Sequence, residues 1–325
     1  MGKPVTQDRK EKEDKNENEG LKKDMREQKG QTIANKNPVR IGKRTENKGT
    51  TRMKNKTEKP QKIKCACWNV RRGLIKQELE VKNILQDEKI DIMFLVEVDT
   101  NLIKIKTDFI LAGYETVVQK RKSEEEKVRV VCVFKGELSS EIKVREDLMS
   151  NEFPSIWLEV KQNTGKNLLV GGYYREWSKN GKKSEKEQVE SIKVLVEQME
   201  KATNEKKTVV MLGDMNINAE KWRDEKSRNK KVASEILGAL EACGLKHMKL
   251  GCTFLADNTA QRGRTVESEL DHIYITKEKE NNITVKKGET SATDHLPIMA
   301  ELEVKRERKE KARTISIKIS HSIFR

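Results

Sequence analysis

Residues 208–216 read TVVMLGDMN, an apolar stretch followed by the polar residues Asp214 and Asn216. The β-branched and apolar residues predict a strand over 208–212, and the polar residues predict a loop at the end of that strand. A carboxylate and a carboxamide two residues apart in such a loop can hold a metal ion, a water molecule or a phosphate. They can equally form a capped turn, because Asp and Asn are common turn residues. Only the residues at the other strand ends can show whether this stretch belongs to a functional site or is an ordinary turn.

The charge of the chain is concentrated at its ends. The 325 residues carry a net charge of +15. Residues 1–62 contain 19 Lys and Arg against 10 Asp and Glu, residues 305–325 contain 8 against 2, and residues 63–304 contain 41 of each sign. We therefore predict a basic N-terminal arm over 1–62, a folded domain over 63–304 and a basic C-terminal tail over 305–325.

The arm has no aromatic residue and few aliphatic ones, so it cannot bury enough apolar surface to offset the entropy of ordering. We expect it to be disordered. A basic, flexible arm can bind phosphates without sequence preference through counterion release. A solubilising tail with no binding partner is the alternative interpretation of the same composition.

The sequence contains no apolar run long enough to cross a membrane and no signal-peptide pattern. Its five cysteines include no C-x-x-C pair and are expected to be free thiols in a reducing compartment. We expect a soluble intracellular protein without membrane contact, and the basic segments would suit a nuclear location. No protein partner can be read from the sequence.

Within 63–304, strand patterns alternate with helix patterns, which predicts an α/β fold with helices covering the sheet faces. Strands are predicted at 63–68, 90–96, 114–119, 128–135, 154–161, 167–174, 208–212, 270–275 and 296–304, and helices at 77–88, 185–203 and 230–242.

Acidic, amide and histidine side chains follow several of these strands. In chain order they are Asn69, Glu97, Tyr174, Asp214, Asn216, Asp271, Asp294 and His295. This set is rich in oxygen and lacks thiolates, so it favours a hard cation such as Mg²⁺ over zinc. An ionised carboxylate next to a buried apolar strand is costly without a partner, which favours a metal ion at Glu97. Solvation at the strand end remains the alternative for Glu97, as an Asx turn does for Asp294.

Other polar residues near these motifs are assigned no chemistry. By strand alternation His272 points away from Asp271, which predicts a structural role. Thr253 is predicted to be an ordinary loop residue, and phosphate contact is its alternative role.

Six motifs in a fixed order resemble those of the endonuclease/exonuclease/phosphatase superfamily. They are WNVR at 68–71, LVE at 95–97, Tyr174, GDMN at 213–216, LDH at 270–272 and TDHLP at 293–297. The resemblance covers about 63–304. Residues 174–177, YREW, and 268–272, SELDH, look most like the apurinic-type endonuclease domains of non-LTR retrotransposons. The resemblance implies a four-layered α/β sandwich of two packed mixed sheets flanked by helices.

The resemblance also implies roles for the polar residues. Glu97 would be the main ligand of Mg²⁺, or alternatively Mn²⁺, with Asn69 and Asp294 as further metal ligands. Asp214 would orient or deprotonate the attacking water, and Asn216 would position that water or the phosphate.

The remaining implied roles concern the phosphate. His295 would donate a hydrogen bond to a non-bridging phosphate oxygen, and Asp271 would hold its tautomer. Tyr174 would contact the phosphate or assist the leaving oxygen. Glu176 and Trp177 stand where relatives commonly carry Pro and Asn. Trp177 could stack on a base or lie at the rim of the site, and the departure leaves abasic-site selectivity open.

The resulting hypothesis is a Mg²⁺-dependent phosphodiesterase that nicks DNA, with RNA as an alternative substrate. A phosphatase acting on a phospholipid or a nucleotide is the alternative within the same fold. The non-enzymatic alternative is a catalytically decayed remnant that binds nucleic acid without cutting it. Because the sequence carries a basic segment instead of a reverse-transcriptase-like region after Glu303, we expect a fragment or a domesticated remnant of an element.

Overall fold

Two six-stranded mixed sheets form the frame of the computed structural model, which describes residues 61–162, 165–177, 184–227, 229–257 and 265–304. The strands are β1 (Gln61–Asn69), β2 (Ile92–Thr100), β3 (Tyr114–Val118), β4 (Val128–Lys135), β5 (Ile142–Val144), β6 (Ser155–Val160), β7 (Leu168–Tyr174), β8 (Thr208–Asp214), β9 (Leu245–Met248), β10 (Phe254–Asp257), β11 (Thr265–Ser268), β12 (Asp271–Thr276), β13 (Ile283–Lys287) and β14 (Ile298–Val304). The α-helices are α1 (Glu78–Asp87), α2 (Leu102–Asp108), α3 (Glu185–Asn204) and α4 (Lys230–Ala242).

The strand order is β13-β14-β1-β2-β4-β3 in the first sheet and β5-β6-β7-β8-β12-β9 in the second. In both sheets the central pair, β1 with β2 and β7 with β8, is parallel. The neighbouring pairs are antiparallel, and β10 and β11 form a separate hairpin. Each sheet therefore brings two carboxyl strand ends to the same edge, which is where the predicted site residues occur.

The alternation of side chains along each strand divides the first sheet between two cores. In β1, Cys65 and Cys67 pack into the layer between the sheets, whereas Ala66 and Trp68 face the outer layer with α1. Burial on both faces explains the continuous apolar run of β2. Helices α3 and α4 contribute apolar residues to the core of the second sheet. This helix–sheet–sheet–helix arrangement confirms the predicted α/β class and the four-layered sandwich.

The short elements were the ones that the sequence did not predict. They are α2, β5, β9, β10, β11 and β13. The alternating apolar and polar residues of α2 are not typical of a helix, and its start is fixed by Asn101, whose side chain accepts from the backbone N of Lys104 at 2.8 Å. Strand β13 is mostly polar and is held by pairing with β14. Because these elements depend on partners distant in sequence, local patterns give them little signal.

The ends of the described domain lie side by side. β1 begins at Gln61, two residues before the predicted start of the domain at 63, and Gln61 pairs with Val304 at the end of β14. The rest of the predicted arm and the whole predicted tail lie outside the described residues. None of the described helices is long and apolar enough to cross a membrane.

The two sheets approach each other closely at Gly172. A Cβ atom on Gly172 of β7 would lie 2.0 Å from Cδ1 of Phe94, a buried residue of β2. The Phe94 ring therefore occupies the space that any larger residue at 172 would need. This contact sets the spacing of the sheets next to the strands that carry the site.

We predict that Gly172→Ala lowers the free energy of unfolding by about 1–3 kcal/mol or more, because the new methyl group must displace the Phe94 ring. Gly238→Ala is the matched control, since Gly238 lies in α4 with nothing within 4 Å of its added Cβ. This control should be neutral or stabilising by up to about 1 kcal/mol. Urea unfolding measures both changes, and equal stability of the two variants would contradict the packing account.

Candidate active site

Polar residues from both sheets meet at one edge of the sandwich. Asn69 ends β1, Tyr174 ends β7 and Asp214 ends β8. Strand β12 runs antiparallel to β8 and begins at Asp271, which pairs directly with Asp214. His295 lies just before β14, which runs antiparallel to β1. The topology therefore brings residues far apart in sequence to one place.

The side chain of Asn69 connects the two sheets. Its Nδ2 donates to Oε2 of Glu97 at 3.0 Å and to Oδ2 of Asp214 at 2.8 Å. Its Oδ1 accepts from the backbone N of Arg71 at 2.8 Å. The two donated bonds hold the carboxylates of Glu97 and Asp214 near each other despite their like charge. Since Oδ1 already accepts a hydrogen bond, Asn69 is better placed to support the two carboxylates than to bind a metal ion itself.

Glu97 lies in an irregular part of β2. The pairing of β2 with β4 shifts register after Val96, and Glu97 and Asp99 have φ angles of 55° and 51°. A positive φ is strained for a residue with a side chain and persists only where the surroundings enforce it. Here the carbonyl of Glu97 accepts from the backbone N of Arg72 at 2.7 Å. A bulge of this kind re-aims a side chain, and it lets Glu97 reach Asn69.

Asp214 is fully buried, and its hydrogen bonds form a tight turn. Its Oδ1 accepts from the backbone N of Asn216 at 2.7 Å, and its Oδ2 accepts from Nδ2 of Asn216 at 3.1 Å. Burial raises the pKa of the Asp214 carboxyl, and the charge of Asp271 raises it further. A raised pKa suits a group that accepts a proton near neutral pH. The stretch is therefore a turn and part of the polar cluster at once.

His295 and Asp271 form a buried hydrogen-bonded pair. Nδ1 of His295 lies 2.9 Å from Oδ2 of Asp271. Burial alone lowers the pKa of His295, but the charge of Asp271 and its hydrogen bond outweigh that effect and raise the pKa to about 9. The charge and hydrogen bond of Asp271 therefore favour the protonated form of the imidazole. With Nδ1 turned toward Asp271, Nε2 is the ring nitrogen left to donate to another group.

Thr253 holds Asp271 from the other side. Its Oγ1 donates to Oδ2 of Asp271 at 2.9 Å and accepts from the backbone N atoms of Leu270 and Asp271, each at 3.0 Å. Thr253 is fully buried. The prediction that Thr253 is an ordinary loop residue is therefore wrong, because its hydroxyl fixes the carboxylate that contacts His295. Its partners are 17 and 18 residues away, so no local spacing revealed the contact.

Tyr174 is nearly buried beside the carboxylates. The guanidinium of Arg129 lies over its ring, 5.3 Å from the centroid, in a cation–π contact. Burial raises the pKa of the Tyr174 hydroxyl well above its usual value, and the charges of Glu97 and Asp214 act in the same direction. The hydroxyl therefore stays protonated and can donate a hydrogen bond.

Asp294 presents an unsatisfied oxygen. Its Oδ2 accepts from Nη1 of Arg71 at 2.5 Å, whereas its Oδ1 is buried and has no hydrogen-bond partner among the described residues. A buried carboxylate oxygen without a partner is costly, and a cation can supply the missing interaction. Glu97 lies at the same edge, joined to Asn69, and carboxylate oxygens of this kind are the ligands that a hard divalent cation prefers.

Among the described residues, one group of acidic and histidine side chains is close enough to hold a metal by distance alone. Ligand atoms of Asp214, Asp271 and His295 lie within 4.8 Å of one another. However, Oδ2 of Asp271 is already engaged by His295 and Thr253. We therefore interpret this group mainly as a hydrogen-bonded acid–base pair next to a carboxylate.

The loop that carries Asp294 and His295 is fixed by Trp68 and Thr293, two residues with no predicted role. Nε1 of Trp68 donates to the carbonyl of His295 at 3.0 Å and to Oγ1 of Thr293 at 3.2 Å. The backbone N of His295 donates to the same Oγ1 at 3.2 Å. Both residues lie inside motifs quoted in the sequence. Their hydrogen bonds to this loop, however, could not be predicted from the motifs.

The structure brings every predicted site residue to this edge. They are Asn69, Glu97, Tyr174, Asp214, Asn216, Asp271, Asp294 and His295. His272, in contrast, is buried away from the site, with Nδ1 2.9 Å from the hydroxyl of Tyr274 and Nε2 3.2 Å from the carbonyl of Glu269. Burial and the neighbouring His247 lower the pKa of His272 to about 3. The predicted structural role of His272 is confirmed.

Comparison with known proteins identifies the class of this fold. A family model described as endonuclease-reverse transcriptase matches residues 172–299. The endonuclease domain of TRAS1, a telomere-specific non-LTR retrotransposon, has a TM-score of 0.55 and 16% identity, with 75% of this chain and 100% of that chain covered. An AP endonuclease from Leishmania major has a TM-score of 0.62 and 14% identity, with 74% and 88% covered.

A 3′ phosphatase from Neisseria bound to product DNA hairpin has a TM-score of 0.55 and 18% identity, with 74% of this chain and 99% of that chain covered. No curated protein sequence matches the chain significantly. Identities this low show the shared fold, while the family model connects the sequence itself to the same group. Residues 172–299 therefore match the endonuclease-reverse transcriptase family, and the chain has the fold of the endonuclease/exonuclease/phosphatase superfamily.

We predict that Thr253→Val lowers the free energy of unfolding by about 1–3 kcal/mol, because it leaves two backbone N–H groups and a buried carboxylate oxygen without the hydroxyl. Thr253→Ser keeps the hydroxyl and is expected to stay within about 1 kcal/mol of the parent. Urea unfolding of the three proteins tests this. If the Val variant were as stable as the Ser variant, the hydroxyl would have no supporting role.

Proposed function

We propose that the protein is a Mg²⁺-dependent phosphodiesterase that nicks DNA. The observation that carries the proposal is the buried His295–Asp271 pair beside Asp214, because it places a cationic donor next to a carboxylate of raised pKa. Hydrolysis of a phosphodiester needs a positioned water and neutralisation of the charge that develops on the phosphate. This edge of the sandwich supplies groups for both tasks.

In this proposal His295 acts on the phosphate. Its Nε2–H donates to a non-bridging phosphate oxygen, and the charge on the imidazolium stabilises the additional negative charge of the transition state. Asp271 keeps the proton on Nδ1 and orients the ring, while Thr253 orients Asp271. Because His295 is 4% exposed, its charge is weakly screened by solvent.

Asp214 and Asn216 act on the attacking water. The carboxylate of Asp214 is positioned by bonds from Asn69 and Asn216. Burial favours its protonated form, so the carboxylate gains free energy by taking a proton from water as the water attacks. Tyr174 lies at the same edge, and its protonated hydroxyl can donate to the phosphate or to the leaving oxygen.

Glu97 and Asp294 would hold the metal ion, with Asn69 as a supporting residue. A bound Mg²⁺ would supply Lewis-acid stabilisation of phosphate charge. Oδ1 of Asp294 is a buried carboxylate oxygen with no hydrogen-bond partner among the described residues, and Arg71 occupies the other oxygen. Arg71 and Arg72 reach these acids with side chains that are more than half exposed. They can turn toward a phosphate once a cation pairs with the acids.

DNA is the proposed substrate for two reasons. Exposed cations, namely Arg71, Arg72 and Lys127, surround the acidic site and suit a phosphate backbone. In addition, the Neisseria protein of the same fold is described with a DNA hairpin product. RNA shares the phosphate chemistry and is the alternative polymer.

We expect the full chain with Mg²⁺ to convert supercoiled plasmid to open circle. Glu97→Ala, Asp214→Ala and His295→Ala should each reduce the nicking rate by about 100-fold or more, because each removes a charged group that acts on the transition state. Agarose-gel assays with and without EDTA measure the rate. Glu235→Gln, an exposed acid of α4, is the control and should nick like the parent.

Other results would favour the alternative functions. Nicking that persists in Asp214→Ala or in EDTA would reject the proposed mechanism. Release of phosphate from a 3′-phosphorylated oligonucleotide or a phosphoinositide without nicking would favour a phosphatase. DNA binding without release of any product would favour a decayed, nucleic-acid-binding remnant.

The basic N-terminal segment gives a separate prediction. Residues 1–60 contain 18 Lys and Arg against 10 Asp and Glu. Their removal should weaken DNA binding and make its dependence on salt less steep, because fewer counterions are released on binding. Fluorescence anisotropy at several salt concentrations gives the slope for the full chain and for residues 61–325. An unchanged slope would show that the segment does not bind DNA.

A further inference from the structure

Trp177 is the exposed tryptophan of this protein. Its side chain is 45% exposed, whereas Trp68 and Trp157 are fully buried and Trp222 is 8% exposed. All four tryptophans of the sequence lie in the described part of the chain. Tryptophan is enriched at binding surfaces, because its ring offers a large apolar face together with a polar N–H group.

The segment that carries Trp177 is fixed to the candidate active site. The backbone N of Arg175 donates to the carbonyl of Asp214 at 2.9 Å, and Nδ2 of Asn216 donates to the carbonyl of Arg175 at 2.9 Å. Nη1 of the buried Arg175 also donates to the carbonyl of Met215 at 3.1 Å. Trp177 thus follows, two residues later, a backbone that is bonded to the loop of the proposed water-activating residue.

A chain of ion pairs connects this segment to Arg72, one of the exposed cations beside the candidate site. Glu176 lies 2.9 Å from Nη2 of Arg129, Nη1 of Arg129 lies 2.9 Å from Asp99, and Asp99 lies 3.3 Å from Nε of Arg72. Arg129 also covers the ring of Tyr174. The neighbour of Trp177 and the exposed Arg72 are therefore joined by consecutive side-chain contacts.

We propose that Trp177 stacks on a nucleobase of the bound strand while the exposed cations Arg71, Arg72 and Lys127 contact its phosphates. This inference rests on the proposed function in its assumption that the substrate is a nucleic acid. An aromatic face beside phosphate-binding cations is the arrangement that single-stranded nucleic acids recognise, because every base has a face that can stack. The base must be unstacked from its neighbours, so the ligand class is a single strand or a locally unpaired segment.

The position of Trp177 favours this contact over a general charge effect. The two residues before it are held in place, Arg175 by the loop of Asp214 and Glu176 by Arg129, so little backbone entropy is lost when a base stacks on the indole. The indole carries no charge and cannot bind a phosphate backbone by counterion release. A contact through Trp177 therefore requires a base, and this requirement separates it from the effects of the basic terminal segments.

Tryptophan fluorescence in EDTA tests the inference without any cleavage. Two probes are compared on the full chain, a single-stranded thymidine oligonucleotide and an oligomer of equal length made of abasic phosphodiester units. The thymidine oligonucleotide should quench the emission of Trp177 and the abasic oligomer should not, because the latter has the phosphates without the bases. Trp177→Phe should abolish the quenching while binding, measured by anisotropy, is largely retained.

The variant Trp177→Ala should weaken binding of the thymidine oligonucleotide by about tenfold, the change that corresponds to about 1.4 kcal/mol of lost stacking. Binding of the abasic oligomer should be unchanged. Ile103→Ala is the matched control, since Ile103 is an apolar residue of α2 that is 72% exposed. It should leave the binding of both probes unchanged.

Three results would overturn the inference. They are equal quenching by both probes, binding of the thymidine oligonucleotide without quenching, and unchanged affinity of Trp177→Ala. Failure of the proposed function gives a different pattern, because base-dependent quenching without plasmid nicking would reject the nuclease and keep the stacking contact. Nicking without quenching would reject only the role of Trp177.

Discussion

The burial of two like charges on adjacent strands is the constraint on which the site depends. Asp214 and Asp271 pair directly across β8 and β12, where like charges destabilise a sheet. Asn69, Asn216, Thr253 and His295 each direct a donor at one of these carboxylates. The supporting residues come from four separate places in the chain. The fold is therefore needed to bring these donors to the two carboxylates. The need for such donors explains why polar residues collect at this edge.

The close packing of the two sheets is the second requirement. Asn69 belongs to the first sheet and Asp214 to the second, so their 2.8 Å hydrogen bond exists only at one spacing of the sheets. Gly172 allows that spacing because the ring of Phe94 occupies the position of a side chain. The packing of the apolar interior therefore sets the distances between polar groups at the edge of the sandwich.

The sequence predicted the long elements and the polar residues at their ends, because apolar periodicity and strand-end acids are local signals. Thr253 was missed, since its hydroxyl matters only through a pairing 18 residues away. The roles of Trp68 and Arg175 were missed for the same reason, as their donors reach loops that the fold brings near. Short strands such as β13 depend on their neighbours and carry little pattern of their own.

The pairing of Gln61 with Val304 has a consequence for how a long polyanion would lie on the protein. β1 leads from Gln61 to Asn69, so the points where the two terminal segments join the domain are about 25 Å from the site, at the rise of a strand. Both segments carry net positive charge, +9 for residues 1–62 and +6 for residues 305–325. Both segments therefore join the domain at the end of the sheet that is remote from the candidate active site. A polyanion held both at these junctions and at the site would have to span the roughly 25 Å between them, whereas a mononucleotide could not.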